Sequence, residues 1–157
     1  MATTRYWLFK SEPSCYSFSD LMKKINATAP WEGIRNYQAR NYIRDDMKKG
    51  DGVLFYHSSC EVPAVVGTAE IVSAPYPDPT QFDPDSEYFD EKAAKDNPRW
   101  FLVDIKARKQ FSQIVTLAKM KQTKGLENMV VLRKGNRLSI TPVTKSEWDI
   151  VCKLGEK

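Results

Sequence analysis

Short apolar segments, each bounded by turn residues and too brief for a typical helix, recur along this chain and constrain its fold more than any other feature. They predict six strands, at residues 5–10, 53–57, 64–72, 100–106, 129–133 and 138–140. Gly67 interrupts the third segment, which predicts a bulge or a close backbone approach there. Because such strands outnumber helices, the sequence predicts an α+β fold in which helices pack against a compact β-barrel.

Helical spacing is found mainly in the early part of the chain and at its end. Ser17 and Asp20 have the spacing of a helix-capping box. The apolar face of the helix that follows is predicted to consist of Phe18, Leu21, Met22 and Ile25. A second helix is predicted from Asn36 to Gly50, and a final one is predicted to be capped by Ser146.

Charge is distributed unevenly along the 157 residues, which are expected to form a single domain over 1–157. Residues 75–100 hold seven acids and three bases, and the whole chain carries +4, so the remainder carries +8. A basic body indicates a polyanionic partner, although a solvated surface with an acidic insertion explains it equally well. Pro75, Pro77, Pro79 and Pro84 in this acidic stretch predict a long irregular loop, and long loops in small domains are often functional.

Membrane and secreted classes are disfavoured. No apolar run approaches the roughly 20 residues of a membrane span, and the N-terminal residues do not resemble a signal peptide. The odd number and scattered spacing of Cys15, Cys60 and Cys152 predict no disulfide framework. We therefore expect an intracellular protein.

Catalytic motifs are scarce. His57 is the only histidine, and the nucleophile-elbow, phosphate-loop and zinc-protease motifs are absent from the sequence. His57 and Cys60 could belong to a zinc site or a nucleophile pair, but the second half of a metal-ligand pattern is missing. Buried small thiols are the better interpretation of the cysteines. We expect no metal, no cofactor and no enzymatic activity.

Trp31 stands apart from the other aromatic residues, because it lies in a polar, irregular stretch between two predicted helices. It is either a lid over the core or a platform on which a flat ligand stacks. Polar groups that could read a base edge follow predicted elements at Ser11, at Asn36 and at residues 56–58. Arg35, Arg40 and Arg44 suit phosphate, although a solvated helix face explains Arg40 and Arg44 equally well.

Four motifs resemble those of the EVE domain family, in order and over nearly the whole chain. They are residues 6–13 (YWLFKSEP), 31–41 (WEGIRNYQARN), 55–58 (FYHS) and 137–140 (RLSI), and the stretches 76–82 and 96–100 resemble one branch of that family. The resemblance implies a PUA-like twisted β-barrel of about five to six strands with flanking helices, related to the YTH domain. It also implies recognition of a modified base in an aromatic cage, notably modified cytosine such as 5-methylcytosine in DNA, or a modified RNA base.

The same resemblance implies a set of site residues. Trp31 corresponds to the cage tryptophan, and Lys10 and Ser11 to the strand end at the pocket floor. The pocket-lining positions are Asn36, Tyr56, His57 and Ser58, and the segment that closes the mouth contains Arg137 and Ser139. We expect Arg35, Arg40, Lys10 and Arg137 to surround the mouth, with the acidic loop of residues 78–96 directed away or to one side.

The sequence therefore predicts a nucleic-acid-binding module, with DNA or RNA as the partner, and a monomer that does not bind membranes. Two alternatives remain open: a hydrolase or nuclease with a PUA-like fold, and a protein-interaction domain that keeps the fold alone. The chain lacks the long basic tail of the animal nuclear members of the family. We therefore expect a cytoplasmic protein, or a nuclear one if the source is eukaryotic.

Overall fold

A curled sheet of six strands forms the centre of the computed structural model, which describes residues 3–135 and 137–156. Its strand order is β2-β7-β4-β3-β1-β8. The strands are β1 (Tyr6–Ser11), β2 (Thr28–Pro30), β3 (Gly52–His57), β4 (Ala64–Ile71), β7 (Asp104–Thr116) and β8 (Ile140–Val143). A separate pair consists of β5 (Tyr76–Pro77) and β6 (Phe101–Leu102). The predicted α+β, PUA-like architecture is confirmed, in the form of a half-barrel.

Four α-helices pack on this sheet: α1 (Phe18–Met22), α2 (Tyr37–Asn41), α3 (Leu117–Gln122) and α4 (Lys145–Gly155). Helix α2 continues as a π-helix over Tyr42–Asp46, and 3-10 turns occupy Ile25–Ala27, Pro79–Phe82 and Val130–Leu132. The predicted capping box of α1 is confirmed, because Ser17 Oγ accepts the Asp20 N–H and Asp20 accepts the Ser17 N–H. No helix within residues 3–135 and 137–156 is long and apolar enough to cross a membrane.

Strand β1 lies at the junction of the sheet. It runs parallel to β3, with Tyr6 opposite Gly52 and Ser11 opposite His57. On its other side it pairs antiparallel with β8, where Tyr6 faces Val143 and Phe9 faces Ile140. Strands β3 and β8, which are far apart in sequence, are therefore both neighbours of β1.

Both faces of the sheet are buried, which is why β1 and β3 read as continuous apolar runs rather than as alternating ones. Alternate side chains enter two different clusters. Phe9 and Phe55 pack on the first face with Trp31 and residues of α1 and α2, and this side is called the Trp31 face below. Leu54 and Tyr56 pack on the opposite face, against residues of α3 and α4.

Gly67 has both predicted properties. The pairing register of β4 shifts beside it, as in a bulge. A Cβ atom at this position would lie 2.6 Å from the Lys109 carbonyl oxygen and 2.7 Å from Phe18 Cζ. The absence of a side chain therefore lets the backbone of β7 and the ring of α1 approach β4 closely.

Three local predictions were wrong. Residues Val130–Leu132 form a 3-10 turn and not a strand, because a short apolar run does not by itself distinguish the two. Ile25 is 88% exposed, since α1 ends at Met22 and the backbone at Asn26 takes a positive φ that no helix continues. The cap of α4 is Thr144, in a capping box with Glu147, rather than Ser146.

Candidate nucleic-acid-binding site

A cavity of about 660 Å³ opens at the carboxyl end of β1 on the Trp31 face, and it is called the Trp31 cavity below. Three segments that are distant in sequence form its walls. They are the end of β1 with the turn after it, the irregular stretch that begins at Pro30, and residues 87 and 88 of the acidic loop. Ser139, just before β8, completes the wall. The volume is within the range of pockets that hold small ligands.

Three of the residues that line this cavity are aromatic: Tyr16, Trp31 and Tyr88. Trp31 is 8% exposed, and its backbone N–H donates to the Val103 carbonyl at 2.9 Å. Its ring contacts Phe9 at 5.4 Å and Phe55 at 5.5 Å between centroids. Tyr16 packs edge-on against Trp31 at 6.1 Å and also lines the cavity. Trp31 is therefore part of the core and of the cavity wall at the same time.

The hydroxyl of Tyr16 is a distinctive group in this wall. It is buried, and among the residues that the structure describes it has no hydrogen-bond partner. Burial, with the nearby charges of Asp20 and Glu32, raises the pKa of this phenol, so the hydroxyl keeps its proton at neutral pH. A buried polar group without a partner costs about 1–3 kcal/mol. A ligand that supplies a partner would recover part of that free energy.

Gly33 allows the acidic loop to pack against the cavity wall. Its φ is +90°, a left-handed conformation that favours glycine. A Cβ atom there would lie 2.6 Å from Cζ of Tyr88, so the phenol ring packs directly on the glycine backbone. Tyr88 is thereby held in the cavity wall.

Asp78 does not line the cavity but holds two of its wall residues, Gly33 and Arg35, in position. It is fully buried and accepts the Gly33 N–H at 2.8 Å, the Arg35 Nη1 at 3.1 Å, and both the N–H and the hydroxyl of Thr80. Burial by itself would raise the pKa of this carboxyl. The hydrogen bonds from Gly33, Thr80 and Arg35 outweigh burial, and the pKa lies below its ordinary value. Asp78 is therefore ionised at neutral pH.

Arg35 joins the segment that follows Trp31 to the acidic loop. Its Nε and Nη2 donate to the Tyr88 carbonyl at 3.1 and 2.7 Å, and its guanidinium lies over the rings of Tyr88 and Trp100. The acidic loop is thus tied to the cavity and supplies Glu87 and Tyr88 to its wall. The loop was expected to be directed away from the mouth or to one side, and it forms one side of the cavity because Asp78 and Arg35 bind it there.

Four of the predicted pocket residues lie in this wall: Lys10, Ser11, Trp31 and Ser139. The Lys10 N–H donates to the Ser139 carbonyl at 2.8 Å, which joins the end of β1 to the segment before β8. Ser11 Oγ donates to the Tyr16 carbonyl and so positions the turn that carries Tyr16. Burial lowers the pKa of the Lys10 ammonium. A role for these four in binding a base remains a prediction.

The other predicted pocket residues are not among those that line the cavity. Tyr56 points to the opposite face of the sheet, because side chains alternate along β3, and this prediction was wrong. Asn36 caps α2 by accepting the Ala39 N–H at 3.0 Å. The Ser58 N–H donates to the Ser11 carbonyl at 2.9 Å. Arg137 is exposed beside the cavity segment that ends at Ser139.

His57 has a structural partner instead of a ligand. Its Nε2 accepts the Phe18 N–H at 3.1 Å, and its ring lies edge-on to Phe55 at 5.8 Å. Burial lowers the pKa of this imidazole, and acceptance of a hydrogen bond at Nε2 requires that nitrogen to be unprotonated. His57 is therefore neutral at pH 7 and secures the start of α1 to the end of β3.

The three arginines predicted to bind phosphate have partners within the protein. Arg35 is bound to Asp78 and Tyr88, as described above, and its Nη2 also donates to Thr80 Oγ1 at 3.0 Å. The Arg40 Nη1 donates to the Arg99 carbonyl at 2.8 Å, and the guanidinium lies over Tyr37. Arg44 forms a bidentate pair with Asp45 on the surface. The structure gives each guanidinium another contact, and phosphate binding by them remains untested.

No group of three or more potential metal ligands occurs in the part of the chain that is described. Cys15, Cys60 and Cys152 are free thiols, and the prediction that they are buried was wrong, because Cys15 is exposed and the other two are only partly buried. The residues that sequence reasoning missed are Tyr16, Gly33, Asp78 and Tyr88. Gly33 was the detectable one, because a glycine in an irregular stretch is the usual residue where the backbone takes a positive φ or approaches another group closely. The tyrosines and Asp78 carry no such local pattern.

Known proteins share this sequence and this fold. A profile of the EVE domain matches residues 5–154. Human thymocyte nuclear protein 1 is 39% identical over 169 residues, which span 97% of this chain and 74% of the human protein. A crystal structure of a protein from Pseudomonas syringae has a TM-score of 0.89 at 45% identity and covers 96% of this chain and 99% of its own.

Two further structures contain nucleic acid. The crystal structure of human THYN1 protein in complex with 5-methylcytosine-containing DNA has a TM-score of 0.89 at 37% identity, over 98% of this chain and 99% of that chain. The YTH domain of a Zygosaccharomyces rouxii protein, in complex with N6-methyladenosine RNA, has a TM-score of 0.54 at 13% identity. It covers 100% of this chain and 90% of its own, and it shares the fold alone.

Proposed function

The chain belongs to the EVE domain family, as its motifs predicted, and on that premise we propose that it binds nucleic acid by holding one modified base in the Trp31 cavity. The first candidate is 5-methylcytosine in DNA. The observation that carries the proposal is an aromatic-walled cavity in a chain whose fold matches that of human THYN1 protein in complex with DNA that contains this base.

The chemistry of the cavity supports a flat, partly polar ligand. Trp31, Tyr16 and Tyr88 offer aromatic surface, and stacking of a base on such a ring is worth about 1–3 kcal/mol. Extraction of a base from a duplex costs a few kcal/mol, so stacking offsets most of that cost. The base edge needs hydrogen-bond partners, and the buried, unpartnered Tyr16 hydroxyl becomes one once a shift of its ring exposes it to the ligand.

Binding without catalysis is the role that these groups support. His57, the only histidine of the chain, holds the Phe18 N–H and is not part of the cavity wall. The thiol of the wall residue Cys15 is exposed, and its Sγ lies 3.7 Å from a Glu12 carboxylate oxygen, with no histidine beside it in the wall. A single methyl group in an apolar pocket gives only about 1–3 kcal/mol of discrimination. We therefore propose a module of moderate selectivity.

Removal of the Tyr16 hydroxyl tests the proposal without disturbing the core. The Tyr16→Phe protein keeps the ring against Trp31 and loses only a buried group that has no protein partner. We expect its melting temperature to equal or exceed that of the parent. Its affinity for single-stranded DNA that contains one 5-methylcytosine should fall by about 0.5–1.5 kcal/mol, the net worth of one hydrogen bond.

Trp31→Phe tests stacking in the same assay, with Trp148→Phe as the matched control. Trp148 packs on Tyr6 at 4.7 Å, within the cluster on the opposite face. Only the Trp31 variant should lose affinity, for methylated and unmethylated strands alike. The parent should prefer the methylated strand, and an RNA strand of the same sequence shows which sugar it accepts. Equal binding of methylated and unmethylated strands by the parent would overturn the proposed function.

A further inference from the structure

The Trp31 cavity has no surplus of positive charge with which to hold a phosphate backbone. The charged residues of its wall are three bases and three carboxylic acids: Lys10, Lys24, Arg35, Glu12, Glu32 and Glu87. Arg35 is already bound to the buried carboxylate of Asp78. A strand whose base enters the cavity must therefore find its cations outside the wall.

Three exposed cations lie in the chain within six positions before the wall residue Ser139: Arg133, Lys134 and Arg137, called the basic edge below. The sequence has no acid between Asn128 and Ser139. In the described parts of the chain none of the three side chains forms a salt bridge. Some other exposed cations do have acidic partners: Arg108 pairs with Glu70, and Lys145 with Asp149. The basic edge therefore keeps its full charge available.

The basic edge is connected to the cavity wall through the chain. Ser139 lies in the cavity wall two positions after Arg137, and its carbonyl accepts the Lys10 N–H at 2.8 Å. Glu87 belongs to the wall that Asp78 and Arg35 hold in place. The basic edge thus precedes the Ser139 part of the wall, whereas the acidic loop contributes Glu87 to another part of it.

We propose that the basic edge binds the phosphates beside the base that enters the cavity, so that the strand runs past Ser139 and away from Glu87. This inference rests on the proposed function and identifies where its partner's backbone lies. Phosphate contacts add affinity and set the orientation but do not identify the base. The acidic loop opposes the reverse placement by repelling the same phosphates.

The test compares two triple variants that remove the same charge. One carries Arg133→Ala, Lys134→Ala and Arg137→Ala. The matched control carries Lys119→Ala, Lys121→Ala and Lys124→Ala, three exposed lysines in and just after α3, which packs on the opposite face of the sheet. Thermal melting first establishes that both variants are folded. Affinity for single-stranded DNA with one 5-methylcytosine is then measured at several salt concentrations.

Each phosphate contact on a single strand contributes about 0.7 to the slope of log affinity against log salt. Loss of three contacts should therefore flatten the slope by about 2, so that the variant loses about 16-fold less affinity than the parent between roughly 50 and 200 mM salt. The preference for methylated over unmethylated strand should be retained. The control should keep the parent's slope.

The outcomes separate this inference from the proposed function. If the parent prefers the methylated strand and the basic-edge variant keeps the parent's slope, the phosphates lie elsewhere and only this inference fails. An equal change of slope in the control also overturns it, since net charge alone would then be responsible. If the parent has no preference for the methylated strand, the proposed function fails and this inference fails with it.

Discussion

Two buried aspartates use the same chemistry at opposite ends of β1, with different consequences. Asp51 and Asp78 are both fully buried, and each accepts four hydrogen bonds. Asp51 lies beside the start of β1, where it accepts the Arg5 N–H and the Trp7 indole N–H. Asp78 lies near the other end, at the cavity.

The partners of the two carboxylates explain the difference. Asp51 binds Arg5, Trp7 and Lys48 next to strands that the sheet already holds in register. Asp78 binds Gly33, Arg35 and Thr80, which belong to two irregular segments without a shared strand pairing. A buried carboxylate thus reinforces a regular structure at one end and replaces it at the other. Only the second arrangement determines the shape of a binding cavity.

Asp51→Ala should have the largest effect on stability. It leaves the buried Trp7 indole N–H and the part-buried backbone N–H groups of Arg5 and Lys48 without an acceptor, and since one such loss costs about 1–3 kcal/mol, we expect about 3–5 kcal/mol in total. Chemical denaturation measures the loss. At a temperature at which the variant is folded, we expect its affinity for the methylated strand to equal that of the parent. A selective loss of binding would remove the contrast between the two ends.

Asp78→Ala should cost less stability, about 1–3 kcal/mol, because the groups it leaves unpaired lie in loops that can shift toward water. Its affinity for the methylated strand should fall by about ten-fold, which corresponds to about 1.4 kcal/mol, since Gly33, Arg35 and Tyr88 lose their common anchor. Calorimetry and strand binding give the two quantities. Unchanged affinity in the folded variant would mean that the wall does not depend on Asp78.

Two glycines sharpen the same contrast at a smaller scale. Gly33 and Gly50 both have left-handed backbones, with φ of +90° and +100°. A Cβ atom at Gly50 would meet nothing within 4 Å, whereas one at Gly33 would meet the Tyr88 ring. Each alanine substitution should cost about 1–2 kcal/mol of stability through backbone strain. Gly33→Ala should in addition displace Tyr88 and weaken binding, and Gly50→Ala should not.

The smallest expected effect is a pH dependence at the end of β3. Burial lowers the pKa of His57, so the unfolded chain binds a proton more readily than the folded one. Stability from this group is therefore complete above about pH 6.5 and declines as the pH falls toward the lowered value. Melting temperatures from pH 7.5 to pH 5 should show this decline in the parent and not in His57→Gln. Identical profiles for the two proteins would contradict this role of His57.

The sequence predicted one part of the site and not the other, for a physical reason. Lys10, Ser11 and Ser139 adjoin strands, and strand periodicity indicates where such residues lie. Tyr16 and Tyr88 reach the cavity through turns whose geometry depends on distant groups. Arg35 was assigned to phosphate because its partner Asp78 is 43 positions away, and no local pattern reveals such a pair. Tyr56 was misplaced by one step of strand alternation.

The prediction of strands was right for the long apolar runs and wrong for a short one. Long apolar runs identified β1, β3 and β4, and the capping box identified the start of α1. The run at Val130–Leu132 has the composition of a strand, yet it forms a 3-10 turn anchored by the buried Met129. Propensity was overridden there by the surrounding packing, which a single sequence does not reveal.

The position of β1 between β3 and β8 has a consequence for synthesis of the chain. Tyr6 pairs with Val143, so one edge of β1 stays open until β8 has been made. Contacts between residues so distant in sequence form slowly, because a long loop must close first. Ser139 joins the cavity wall only with β8. A nascent chain can therefore build the β3–β4 hairpin early, but it completes the wall of the Trp31 cavity only after β8 has been synthesised.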